Sequence, residues 1–124
     1  MKSVKVIRRK LGVCHVPRHV AATAVPGQNI ISIEYDADER PVFAEGVNVF
    51  PVTGLESQLF RVSPALIQGL DDWIKKCNGG NIVVHCEMGI SRSRAMAFWI
   101  KAQYGYVLTS FDTLVEVHEH LEIL

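Results

Sequence analysis

The chain has 124 residues, enough for one domain (residues 1–124) that buries an apolar core without disulfide or metal staples. Thirteen basic side chains balance thirteen acidic ones, so no global field favours nucleic acid or an anionic membrane, and neither is expected as a partner. Any recognition of an anion must therefore be local.

The N-terminal stretch MKSVKVIRRK lacks the apolar region of a signal peptide, and the longest apolar runs are too short to span a bilayer. Three cysteines, Cys14, Cys77 and Cys86, make no disulfide framework, and their odd number points to reduced thiols. A cytoplasmic setting is the expectation.

Along the chain, Ser3 to Ile7 alternate polar with apolar residues and read as a strand, with Arg8, Arg9 and Lys10 as its solvated basic end. Cys14, His15 and His19 could ligate a metal, but zinc takes four ligands, or three and a water. No further Cys/His group completes the set, so no metal is expected. Residues 30–35 read as a second strand, ended by the acidic turn of residues 36–41. Residues 47–50 read as a third, stopped by Pro51, which cannot donate to a ladder.

A well-punctuated helix follows. Ser63 suits the N-cap and Pro64 the first helical position. Leu66, Ile67, Leu70, Trp73, Ile74 and Cys77 share one face, which makes Cys77 a small buried hydrophobe. Lys75 and Lys76 fill the last turn, and Gly79 and Gly80 end it. Asp71 and Asp72 on this helix read as solvated.

Residues 81–85 are branched and apolar throughout, as a parallel strand covered on both faces would be. From about Ser91 the chain reads as a helix apolar nearly all round (Ala95 to Ile100), closed by Gly105. A final helix is expected from Thr109 or Ser110, with Asp112 in its first turn and Phe111, Leu114, Val115, His118 and Leu121 on one face. His118 and His120 read as helix-surface or core-edge residues. Alternating strands and helices of this kind predict an α/β fold with a mostly parallel sheet flanked by helices.

The densest chemistry lies where the apolar strand ends, in IVVHCEMGISRSR, residues 82–94. Ligands of open α/β sheets bind beyond the carboxyl ends of strands, where helix N-termini point. A tight loop of backbone N–H groups running into a helix makes a concave anion site. Gly89 frees the backbone to turn, and Arg92 supplies a planar fork for two phosphate oxygens. A thiol placed in that field is expected to have its pKa lowered and to be a thiolate at neutral pH. The expected chemistry is displacement at phosphorus through a cysteinyl-phosphate that water then hydrolyses.

His85-Cys86-Glu87-Met88-Gly89-Ile90-Ser91-Arg92-Ser93 matches HCxxGxSRS, and the chain resembles the cysteine-dependent protein tyrosine and dual-specificity phosphatases, as a small bacterial- or phage-type member. The similarity extends from about residue 47 onward, through FPVTGLES, a helix and GGNIVVHC, and is only in outline before that. The resemblance implies a phosphatase-like fold, Cys86 as nucleophile and Arg92 as phosphate clamp. It implies that His85 orients the loop and that Ser93 hydrogen-bonds the sulfur and eases its departure. The amides of Glu87, Met88, Gly89, Ile90 and Ser91 would line the cradle. No metal or organic cofactor is implied; the expected partners are a phosphorylated protein or peptide, with inorganic phosphate or other oxyanions in the loop.

One departure stands out. The family's general acid is an aspartate after an I-P-V-x-D strand, and here Phe50-Pro51-Val52-Thr53 leads to Gly54. Glu56 is the leading substitute, with Asp36 and Asp38 as second candidates; proton donation of this kind is typically worth ~10²–10⁴-fold. Three functions follow in order. The first is a phosphatase acting on phosphotyrosine, with phosphoserine and phosphothreonine as further candidates. The second is a catalytically weak or inactive phosphate- or phosphopeptide-binding module. The third is a thiol enzyme of another kind, such as sulfur transfer or arsenate reduction.

Overall fold

A computed structural model describes residues 12–53, 63–88 and 91–110. Its elements in chain order are β1 (Gly12–Pro17), the short helix α1 (Arg18–Ala21), β2 (Asn29–Glu34), a 3-10 turn (Ala37–Glu39) and β3 (Asn48–Thr53). Then come α2 (Pro64–Lys76), β4 (Ile82–Cys86), α3 (Arg92–Tyr104) and β5 (Val107–Leu108).

The described strands form a five-stranded sheet in the order β3-β2-β4-β1-β5, and every paired neighbour runs parallel. The fold class is therefore α/β. β4 is central, with β2 on one side and β1 on the other. Central parallel strands are covered on both faces, and every residue of β4 is buried.

Strand alternation sorts the side chains onto two faces. On one, Val13, Ile31, Ile33, Val52, Ile82, Val84 and Cys86 pack with Leu70 and Ile74 of α2 and with Met96, Ala97 and Ile100 of α3. On the other, Cys14, Val16, Ile30 and Val83 pack with Ala21 and Ala24, under Phe43 and Val47. Odd-numbered His85 and even-numbered Ser32 and Glu34 thus fall on the second face, opposite the Cys86 side chain.

The helix ends follow their sequence signals. The Ser63 hydroxyl accepts the Leu66 N–H at 3.1 Å, with Pro64 opening α2. Gly105 caps α3 in the left-handed region at φ 75°, where a side chain would be strained.

Several expectations need correcting. β3 does not stop at Pro51 but runs to Thr53. It is an edge strand, and Pro51 is exposed on it, so the missing N–H costs no ladder bond. The run around Cys14, not read as an element from the sequence, is strand β1, whose alternation buries Cys14 and leaves His15 partly exposed on the other side. Cys77 is the half-buried C-cap of α2 rather than a core residue. The apolar run of α3 is not packed on every side, because Phe98 is exposed beneath the Arg94 guanidinium at 5.3 Å. Asp71, too, is more than solvated: it accepts the Tyr104 hydroxyl at 2.5 Å and pairs with Lys75 at 2.9 Å. Thr109 and Ser110 lie just past β5 in irregular backbone. The expected strand at residues 3–7, the rest of the final helix, His118 and His120 lie outside the described residues.

Among the described residues no helix is long and apolar enough to cross a membrane, and no group of His, Cys, Asp or Glu is placed to hold a metal ion.

Candidate functional site

Chain connections leave β2 toward β3 on one side and leave β4 toward β5 on the other. The carboxyl ends of β2 and β4 thus flank the point where connection directions diverge, which is where open parallel sheets open a crevice for ligands. Cys86 is the last residue of β4 and so lies at that divergence point.

The Cys86 sulfur lies 3.2 Å from the Ser93 hydroxyl oxygen. The two residues are seven apart, joined by a loop and the first turn of α3, so the strand–loop–helix geometry itself brings them together. Arg92, the first residue of α3, is only 8% exposed and Ser93 is fully buried. A guanidinium that far out of water is a costly placement at the start of an ordinary helix. Ser91 precedes it with no side-chain cap bond, unlike Ser63 at the start of α2. The first-turn N–H groups of α3 are thus not capped by their own N-cap hydroxyl, which is the state an anion-binding helix start requires. Glu87 and Met88 are exposed at the loop entrance.

On the opposite face, the sequence reading missed a polar layer. Ser32 and Glu34 interrupt an otherwise apolar buried strand, and both are completely buried. Buried polar groups need partners, and these come from far along the chain. Arg18, just past β1, grips Glu34 with both arms, Nη2 to Oε1 at 2.6 Å and Nε to Oε2 at 2.7 Å. Because β1 and β2 lie on either side of β4, this ion pair straps across the strand that carries Cys86. The Arg18 N–H also donates to the Glu87 carbonyl at 3.1 Å, fixing the first loop residue.

His85 completes the layer. Its Nδ1 is 3.2 Å from the Cys86 carbonyl and its Nε2 is 2.6 Å from the Ser32 hydroxyl. Burial holds the imidazole pKa below its ordinary value of 6.5, and the charges of Arg18 and Arg40 act in the same direction. The bond to the Cys86 carbonyl and the charge of Glu34, 3.9 Å away, oppose that shift. Phe43 covers the ring, centroid to centroid 6.1 Å.

The structure thus brings together Cys86, Ser93, Arg92, His85, Glu87, Met88 and Ser91 at one strand–helix junction. Glu56, Gly89 and Ile90 lie outside the described residues. Asp36 and Asp38 lie in the turn after β2, both exposed, with the Asp36 carboxylate capping the Asp38 N–H at 3.0 Å. Arg18, Ser32, Glu34 and Arg40 are additions; the readable signal was two polar residues two apart inside a buried strand. No protein-family model, no curated protein and no solved structure matches this chain.

Proposed function

We propose that the chain is a cysteine-dependent phosphomonoester hydrolase with a dual-specificity-phosphatase-like fold, acting on phosphotyrosine in a protein or peptide, with phosphoserine and phosphothreonine as further substrates. The observation that carries this reading is the Cys86 sulfur 3.2 Å from the Ser93 hydroxyl at the divergence point of a parallel sheet. The burial of Arg92, the residue before Ser93, and the HCxxGxSRS spacing support the same reading.

In the first step the Cys86 thiolate attacks phosphorus and the P–O bond to the leaving group breaks. The departing oxygen takes a proton from a carboxylic acid, for which Glu56 is the candidate. In the second step water attacks phosphorus and gives a proton to the carboxylate left by the first step, the S–P bond breaks and the electron pair returns to sulfur, where the Ser93 O–H receives it. Arg92 and the loop amides hold the equatorial oxygens through both steps.

Gly54 at the usual position of the acid favours a second reading, a phosphate-binding module with little turnover. p-Nitrophenyl phosphate separates the two, because its leaving group needs little protonation. The hydrolase reading expects turnover by the wild type that Cys86→Ser abolishes. Phosphopeptide binding without turnover would establish the module. With an alkyl phosphate, Glu56→Gln should remove one limb of the pH–rate profile; an unchanged profile rejects Glu56 as the acid.

A further inference from the structure

We propose that Ser32 and Arg40 are positioning residues for the nucleophile loop: a one-way hydrogen-bond relay from Arg40 through Ser32 fixes the His85 tautomer that holds the Cys86 carbonyl. The proposal rests on the hydrolase reading for its catalytic consequence, but the relay itself does not.

The direction of each bond follows from the chemistry of its ends. A carbonyl oxygen only accepts, so the 3.2 Å contact with Cys86 O requires the proton on Nδ1 of His85. Buried, and facing Arg18 and Arg40 as well as Glu34, the imidazole is held in its neutral form. Nε2 is then bare, and the 2.6 Å contact is the Ser32 hydroxyl donating to it. The Ser32 oxygen in turn receives the Arg40 Nε–H at 2.9 Å. A guanidinium cannot accept, so the relay cannot run backward. The other tautomer would set two lone pairs against each other at Cys86.

His85 lies on the sheet face away from the Cys86 thiol, so it reaches the nucleophile only through the backbone. In a trans peptide the C=O and the following N–H point in opposite directions. Holding the Cys86 carbonyl on the His85 side therefore turns the Glu87 N–H to the other side, as the first donor of the loop. The Arg18 N–H on the Glu87 carbonyl turns the Met88 N–H in the same manner. Arg40 also reaches the edge of the sheet. Its Nη2 faces Ser32 O at 3.0 Å, Val52 O at 2.7 Å and Thr53 Oγ1 at 3.2 Å. One guanidinium thus joins the orientation of the nucleophile's peptide to the end of β3, from which the chain enters Gly54 and Glu56. Only a planar fork serves both directions at once.

The test is the nitrogen spectrum of His85 in the ¹⁵N-labelled full chain, assigned by difference with His85→Gln and followed with pH. The expected wild-type pattern is a protonated Nδ1 and a bare Nε2, persisting below the ordinary imidazole range. Ser32→Ala should mix the tautomers and lower kcat for p-nitrophenyl phosphate by about tenfold, with KM changed less. Arg40→Lys keeps the charge but not the fork, and should move both readouts the same way. A wild-type imidazole protonated on Nε2, or charged at neutral pH, overturns the relay. So does a folded Ser32→Ala with wild-type spectrum and turnover; if that variant does not fold, Arg40→Lys decides. A wild type without turnover that keeps the expected pattern supports the relay and sinks only the hydrolase reading.

Discussion

Cys14 and Cys86 sit on adjacent parallel strands, β1 and β4, and both are almost fully buried. Cys14 lies mid-strand, opposite Val83, among Val16, Ala21, Ala24 and Ile30. Burial in that apolar setting pushes its thiol up to about 12. Cys86 lies at the last position of its strand, with a hydroxyl 3.2 Å from the sulfur and a buried arginine opening the next helix. The same side chain at similar depth meets different surroundings. Burial alone silences a thiol, and address within the sheet decides whether anything offsets it.

The sharpest test of that contrast is differential alkylation of the native protein at pH 7. A thiol held at about 12 is ionised to roughly one part in 10⁵. Iodoacetamide should therefore modify Cys86 at least about a thousandfold faster than Cys14, read by peptide mass spectrometry. Equal rates would break the comparison. Cys77, half-buried and pushed up to about 11, should also lag behind Cys86.

A second test removes the support under Cys86 alone. Arg18→Met leaves the 1% exposed Glu34 carboxylate without its partner. The loss should be about 3–5 kcal/mol in denaturant unfolding, because an uncompensated buried charge is severely penalised. Cys14→Ala, within an apolar cluster, should cost only about 1–2 kcal/mol.

The smallest effect expected is on pH. The His85 pKa is lower folded than unfolded, so below 6.5 the unfolded chain binds the proton more readily. Stability should fall as pH drops below about 6.5. His85→Gln should flatten that part of the curve. A slope unchanged by the substitution would show that His85 is not the group responsible.

What the sequence made legible was local. Ser63, Pro64, Gly105 and the apolar run of residues 82–84 that opens β4 each announce themselves to neighbours within a few residues. The Cys86–Ser93 contact is also local, since seven residues and one loop set it. The extent of β3 was not legible, because whether Pro51 is tolerated depends on being at a sheet edge, which is a property of topology. β5 is two residues long, too short to show a period. The Arg18–Glu34 and Ser32–His85 contacts join positions 16 and 53 apart and had no pattern to betray their pairing.

The strap from Arg18 to Glu34 has one more consequence. It spans three strands that the chain supplies at widely separated times, with β4 inserted last between two earlier neighbours. A nascent chain emerging from the ribosome holds β1 and β2 well before residue 86 exists, and their ends have nothing to brace. The brace beside Cys86 therefore needs β1, β2 and β4 together, and a copy truncated past Arg18 would carry that sulfur without it.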